Sequence, residues 1–398
     1  MTASIVDSAA TTPRLFEPLT LRGVTLKNRI VVSPMSMYSA RDGFSDDFHL
    51  VHLGRFALGG AGLVFMEATS VNAQGRGTPG CNGLWLDAQV DNLKRITTFL
   101  HRFGAAAGIQ LFHSGWKGST RRPWHGGTAL NDEDVTSRGE SPWPTVSASA
   151  EPFDKNTPAP AALDEAALQG IIEDFRSATR RADKAGFDIV ELHCAHGYLL
   201  HAFLSPLGNK RDDRYGGSLA NRMRFPLEVA EAIRAVWPQP KPMFARLSTV
   251  DGVGIGWSIE DSVAFAKALH ERGVDVIDCS TGGIKLPREN NLVARAPGFQ
   301  VGFAAQIRRE AAVPTMAVGL ILDARQAESI LHSSDADLVA IGREMLVDPN
   351  FAATAALDLE GEAGWRFWSN QFRWWLERRA RQLRSLVTGK GERPPARS

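Results

Sequence analysis

The sequence predicts an α/β protein built as a (β/α)8 TIM barrel, with a long loop insertion after the third strand and a helical extension at the C-terminus. Three observations carry this reading. Short apolar runs rich in β-branched residues recur eight times, amphipathic helical patterns ending at Gly lie between most of them, and the turn after the first run, "SPMSMYSARDG", holds no GxGxxG. Strand and helix in alternation mean a parallel sheet with crossovers, and eight such units close into a barrel. A doubly wound open sheet is the alternative, and it calls for a Gly-rich turn at that first connection.

The runs are, in order, "RIVVSPM" (29–35), "GLVFMEA" (62–68), "AGIQLFH" (107–113), "FDIVELH" (187–193), "PMFARLS" (242–248), "VDVIDCS" (274–280), "PTMAVG" (314–319) and "ADLVAIG" (336–342). The helical pattern "EDFRSATRRADKAG" leads into the fourth and "SIEDSVAFAKALHERG" into the sixth, each stopped by Gly. Two connections are too long to be links. The first, from Ser114 to about Leu163, is rich in Gly, Pro, Ser and Trp and has the length of a lid; the second runs from Thr281 to Gln300. No shift in composition divides the chain, so one barrel domain is expected over 15–364. A disordered leader precedes it at 1–14, and a C-terminal helix and tail follow at 365–398.

At 398 residues, 43% hydrophobic and 22% charged, the chain can bury a full core. A net charge of +1, from 45 basic against 44 acidic residues, gives no field suited to nucleic acid or an anionic membrane. Cys81, Cys194 and Cys279 stand far apart with no CxxC pair, which argues against a disulfide framework, a thiolate zinc site or an iron–sulfur cluster. The leader lacks an apolar h-region and a run of arginines, so a soluble cytoplasmic protein is expected.

In a barrel of this kind chemistry sits at the C-terminal ends of the strands. The residues there are Ser36, Tyr38, Ala68, Gln110, His113, His193, His196, Tyr198, Arg246, Ser280, Gly319, Gly342 and Arg343. The segment "ELHCAHGYLLHAFLSP" places His193, His196 and His201 directly after an apolar run, open to four readings: metal ligands, a proton relay, anchors for an uncharged polar ligand, or histidines satisfied by backbone. A zinc site lacks a carboxylate at HExxH spacing and any Cys partner. Gly319 and Gly342–Arg343, after the seventh and eighth runs, stand where such barrels cradle a phosphate; a surface ion pair is the plainer reading of Arg343. His201 is expected to be structural and Cys194 a small buried filler.

The motifs "LFEPLTLRGVTLKNRIVVSPMSMYS", "GIQLFHSG", "AGFDIVELHCAHGYLLHAFLSPLGNKRDDRYGGSLANRMRF", "ARLS" and "LVAIGREMLVDPNF" cover most of the chain. Together they resemble the Old Yellow Enzyme family of FMN-dependent oxidoreductases, in its bacterial, thermophilic-like branch. The resemblance implies that Gln110 and Arg246 contact the pyrimidine end of the flavin and that Ser33, Pro34, Met35 and Ala68 line the ring. It implies that Ser36, His193 and Ser280 also face the cofactor, and that Gly319, Gly342 and Arg343 hold the phosphate. His193 and His196 would bind a substrate carbonyl, Tyr38 would be a further ligand of that oxygen, and Tyr198 would donate the proton. Hydride addition to an enone builds negative charge on the carbonyl oxygen, and two imidazole N–H groups there act as an oxyanion hole. A tyrosine hydrogen-bonded under the loop is the plainer reading of Tyr198.

In one respect the sequence departs from this branch, in which the position of Ser36 is usually cysteine. A hydroxyl does not oxidise, which excludes thiol redox sensing at this position. The tail "WRFWSNQFRWWLERRARQLRSL" (365–386) reads as a helix with Trp368, Phe372, Trp375 and Leu376 on one face. It is open to packing on its own barrel, to nucleic-acid or membrane contact, or, as in related enzymes, to delivering an arginine, here Arg378, into a neighbour's pocket. The last residues, "GKGERPPARS", look disordered. The activity implied is reduction of the C=C bond of α,β-unsaturated carbonyl compounds by FMN, with NADPH or NADH as reductant in a ping-pong cycle, by a homodimer or homotetramer. Two alternatives are an oxidative or CoA-thioester-acting relative and a flavin-binding protein without significant turnover.

Overall fold

The computed structural model describes residues 12–253, 255–284 and 293–387, so the expected leader up to residue 11 and the tail from 388 lie outside the described residues. Arg14, assigned to that leader, begins a short turn, Arg14–Phe16; its backbone N–H donates to Glu328 and its guanidinium to the carbonyl of Leu331.

Eight parallel strands close a barrel: β1 (Ile30–Val32), β2 (Leu63–Ser70), β3 (Ala106–Phe112), β4 (Ile189–Cys194), β5 (Met243–Ser248), β6 (Val276–Ser280), β7 (Thr315–Val318) and β8 (Leu338–Ile341). Each lies within or beside its apolar run. The first is shorter than expected because Pro34, which has no amide hydrogen, cannot continue the ladder. An α-helix follows each strand: α1 (Asp47–Leu58), α2 (Val90–Arg102), α3 (Glu165–Lys184), α4 (Leu219–Val236), α5 (Ile259–Glu271), α6 (Val301–Ala311), α7 (Ala324–His332) and α8 (Phe351–Glu360). Side chains that can accept a hydrogen bond start many of them: Asp46, Asp164, Ser218, Ser258 and Asp323 each accept a first-turn N–H, satisfying a donor that has no partner within the helix.

Side chains alternate along a strand, so inward residues recur every second position and stack the interior in layers. Ile189, Phe244 and Val276 belong to the apolar bottom layer, which the hairpin Leu19–Leu21/Val24–Leu26 closes with Leu21 and Leu26. Two residues on come Glu191, Arg246 and Asp278, and two further His193, Ser248 and Ser280. The register puts His193 opposite Arg246, and Arg246 opposite Asp278. The interior thus changes from hydrocarbon through buried charge to a polar rim.

The insertion after β3 is folded rather than irregular. It carries a short helix, Asp132–Arg138, and a pairing of Val146–Ser147 with Ala161–Ala162; Arg121 ties it together by donating to the buried carboxylate of Asp134. The C-terminal helix α9 (Asn370–Val387) starts later than the sequence reading placed it: Trp365 belongs to the 3₁₀ segment Gly361–Phe367, and Trp368 lies in the connection to α9. Among the described residues no helix is long and apolar enough to cross a membrane.

Candidate active site

The end of β4 builds the reactive part of the rim. His193 accepts the N–H of Ala195 on Nδ1 at 3.1 Å, which leaves its proton on Nε2. That nitrogen lies 3.2 Å from Nδ1 of His196, whose Nε2 in turn lies 2.7 Å from Oγ of Ser280. His196 reaches this place through a left-handed backbone (φ +60°), held by the hydroxyl of Ser248, which accepts its N–H at 2.8 Å. Burial, together with neighbouring cationic side chains, pushes both imidazoles well below the usual histidine range, so both are neutral at physiological pH. Tyr198 follows; its ring packs edge-on at 5.0 Å from His193 and 5.3 Å from Phe112. Burial raises its phenol above the ordinary value and keeps the proton on oxygen.

Below the rim lies a buried charged layer. Arg246 donates from Nε to Asp278 at 2.5 Å and from Nη2 to Ser33 Oγ at 2.8 Å, while Gln110 donates to Glu191 Oε1 at 2.7 Å. The segment after β1 is fixed by β2. The carboxylate of Glu67 accepts the backbone N–H of Met37 and, at 3.1 Å, an amide hydrogen of Asn82; His49 stands 3.6 Å away.

Two cavities open on this rim. One, of 470 Å3, runs from Met35, His196 and Ser280 past Gln300 to Gly319, Gly342 and Arg343. The other, of 270 Å3, is lined by Ser36, Tyr38, Cys81, Phe112, Lys117 and Tyr198. Ala68 packs with Cys81, Phe112, Tyr38 and Tyr198, and Pro34 is buried beside Ser33. The end of the larger cavity at Gly319 and Gly342, where a phosphate is expected, fits a closely held group. Gly319 has φ +113°, and a Cβ there would stand 2.3 Å from the side-chain amide of Gln300; a Cβ on Gly342 would meet only Met35, at 3.6 Å. At Gly319 bare backbone therefore faces the cavity where a side chain would collide, and at Gly342 the wall is open.

Not every candidate faces these cavities. His113 is buried, accepts the N–H of Gly115 on Nδ1 and has its pKa pushed down to about 3 by burial. His201 is fully buried; it accepts the N–H of Gly197 at 2.9 Å and sits 3.0 Å from Asp251, so it steadies the His196 loop. Arg378 is exposed on α9, its guanidinium 4.7 Å from the centre of the Trp374 ring. Among the described residues no group of three or more His, Cys, Asp or Glu could hold a metal ion.

Sequence reading passed over three groups. Lys117 lies at the start of the insertion, donates to the carbonyls of His196 (2.8 Å) and Gly283 (3.2 Å), faces the Tyr198 ring at 5.3 Å, and has its pKa lowered by burial to about 8. Its context, "SGWKGS", carries no signal. Gln300 bonds to Ser280 at 3.2 Å and is likewise unmarked in the sequence. Glu191 and Asp278 did carry one, as acids at inward positions of otherwise apolar strands.

A family model described as NADH:flavin oxidoreductase / NADH oxidase matches residues 14–362. The chain is 42% identical over 363 residues to a NADPH dehydrogenase of Geobacillus thermodenitrificans, across 89% of this chain and 99% of that one. It is 41% identical over 351 residues to a NADPH dehydrogenase of Bacillus subtilis, across 88% and 96%. Among solved structures it is similar to morphinone reductase, with a TM-score of 0.70 and 28% identity over 88% of this chain and 91% of that one. It is also similar to the old yellow enzyme homologue of Zymomonas mobilis, with a TM-score of 0.67 and 26% identity over 85% and 90%.

Proposed function

The chain belongs to the NADH:flavin oxidoreductase / NADH oxidase family, the Old Yellow Enzyme family, and is an NAD(P)H-dependent flavin oxidoreductase with FMN as its cofactor; from that premise we propose that it reduces the C=C bond of α,β-unsaturated carbonyl compounds. The observation that carries this reading is the neutral pair His193 and His196, with facing nitrogens 3.2 Å apart: His196 lines the larger cavity, and the ring of Tyr198, 5.0 Å from His193, lines the smaller one together with Tyr38. FMN, when bound, accepts a hydride from NAD(P)H and delivers it to an electron-poor carbon.

The protein's own residues do the rest. The residues that would face the ring are Ser33, Pro34, Met35, Ser36, Ala68, Gln110, His193, Arg246 and Ser280, with Gly319, Gly342 and Arg343 at the phosphate. His193 presents Nε2–H, because its Nδ1 is occupied by the Ala195 amide. For His196 to present Nδ1–H to the same oxygen, its Nε2 must accept, and the Ser280 hydroxyl at 2.7 Å can donate to it. Each such donor contributes about 2.7 to 4 kcal/mol to stabilising charge on an enolate oxygen. Tyr38 is a further ligand of that oxygen. Tyr198, with its proton firmly held, is the acid that protonates the α-carbon. Anaerobic reduction by NADH and by NADPH, followed by reoxidation with a panel of enones, enoyl-CoAs and oxygen, tests the proposal. Preference for enones supports it; reoxidation by oxygen or enoyl-CoA alone refutes it.

A homo-oligomer assembled through α9 is the second part of the proposal. Phe372, Trp374 and Trp375 are 43%, 53% and 67% exposed, an aromatic and arginine-rich surface of the kind interface cores use. In that assembly Arg378 reaches the substrate pocket of a neighbour. Truncation before Asn370 should lower the sedimentation coefficient to that of a monomer and reduce enone turnover. A wild-type chain that already sediments as a monomer contradicts this part.

A further inference from the structure

The buried layer under the rim holds more acceptors than donors. Asp278 gives one carboxylate oxygen, Oδ2, to Arg246, and Glu191 gives one, Oε1, to Gln110. The remaining oxygens, Asp278 Oδ1 and Glu191 Oε2, are buried and have no donor, although the two side chains are in hydrogen-bonding contact with each other. Two ionised carboxylates cannot satisfy each other. A single proton between them satisfies both and brings the layer, with Arg246, from a net charge of −1 to zero.

We propose that Glu191 and Asp278 share one proton, and that this proton is coupled through Arg246 to the redox state of the flavin. Where the pair titrates, reduction draws the proton in, so the two-electron reduction of FMN takes up one proton on the flavin and part of another on the pair. The proposal rests on the reading that Arg246 and Gln110 contact the flavin. Burial raises both acids, and the neighbouring Asp278 raises Glu191 further, which places their shared titration above the ordinary carboxylate range. The other groups facing them are Arg246 on β5, His193 and Cys194 on β4 and Cys279 on β6, with Gln110 and Ser33 uncharged. Of these Arg246 carries a fixed charge, His193 is neutral, and the thiols are raised by burial, so the carboxyl pair is what changes charge.

The sign follows from where negative charge is added. Reduction places negative charge near Arg246, which weakens that cation's hold on the carboxylates and raises their proton affinity. Loss of the proton at high pH leaves a net negative layer and disfavours reduction of the flavin.

The test uses the FMN-loaded protein and two readouts that do not depend on turnover. In reduced-minus-oxidised infrared spectra at alkaline pH, a protonated-carboxyl band sensitive to D2O should appear on reduction. In spectroelectrochemical titrations, the protons taken up per two electrons should rise above one across the pair's titration. Glu191→Gln keeps an acceptor for Gln110 and supplies a fixed N–H to Asp278, so both signals should vanish. A proton excess that persists in this variant belongs to the flavin and overturns the proposal. So does a wild-type difference spectrum without a carboxyl band, which decides the matter even if the variant fails to fold. Enone reoxidation measured on the same samples separates the two readings: carboxyl signals without enone turnover leave the shared proton standing and remove the substrate assignment.

Discussion

The two ends of the large rim cavity are built from different materials. At the glycine end, proposed to take the phosphate, Gly319 and Gly342 bring bare backbone to the wall, and Arg343 beside them is exposed. At the histidine end the wall includes the side chains of His196 and Ser280, and specific bonds fix the group around them: His196 by Ser248 and Ser280, His193 behind it by the Ala195 amide, and the loop leading to Tyr198, which lines the smaller cavity, by His201. Backbone holds a group whatever it does chemically, whereas oriented imidazoles and a phenol favour one distribution of charge. Cofactor retention and substrate turnover should therefore be separable by mutation.

The largest expected effect breaks the histidine end alone. Replacing His193 and His196 together by Ala removes both donors and should lower enone turnover by at least about 1,000-fold. Phenol binding, followed by perturbation of the flavin spectrum, should be lost while NADPH still reduces the flavin. A double variant with wild-type enone turnover removes the oxyanion role. Tyr198→Phe deletes a general acid and should slow flavin reoxidation by cyclohexenone about 100-fold, with less effect on substrates whose enolate or nitronate is already stable. Equal slowing of flavin reduction would show that Tyr198 acts on the nucleotide instead.

Gly319→Ala probes the opposite end. At φ +113° an alanine carries strain of about 1–3 kcal/mol and pushes on Gln300, so FMN should dissociate about tenfold more readily, as read by dialysis and flavin fluorescence. Turnover per bound FMN should stay within about a factor of three, and a loss confined to turnover would merge the two ends. The smallest effect is expected at Ser36, which lines the smaller cavity. Ser36→Cys replaces an oxygen dipole by a weaker hydrogen-bonding sulfur and should move the flavin potential without changing FMN retention. An unchanged potential would place Ser36 away from the ring.

The barrel was legible because its strands are apolar runs of the right length between Gly and Pro, and the strand ends strayed by only a few residues. The hairpin Leu19–Leu26 was missed because two three-residue strands leave almost no alternation to read. The start of α9 was misplaced because aromatic spacing continues through Trp365 and Trp368, although the helix begins only at Asn370. His193 and His196 were legible as polar residues at the end of an apolar run. Lys117 and Gln300 were not, because a long loop brings them to the rim from places the local pattern does not mark. What no sequence pattern holds is the tautomer of His196 and the unpartnered oxygens of Glu191 and Asp278, since both depend on which atom faces which across neighbouring strands.

The central claim is that electrons from NAD(P)H leave this protein through an enone oriented by His193 and His196. The direct measurement is anaerobic rapid mixing of the NADPH-reduced, nucleotide-free wild-type protein with 2-cyclohexenone, followed by the return of the oxidised flavin spectrum. The account predicts reoxidation at a rate that rises with enone concentration and yields one cyclohexanone per flavin, with the His193→Ala/His196→Ala protein remaining reduced on that timescale. A wild-type protein that stays reduced until oxygen is admitted would contradict it.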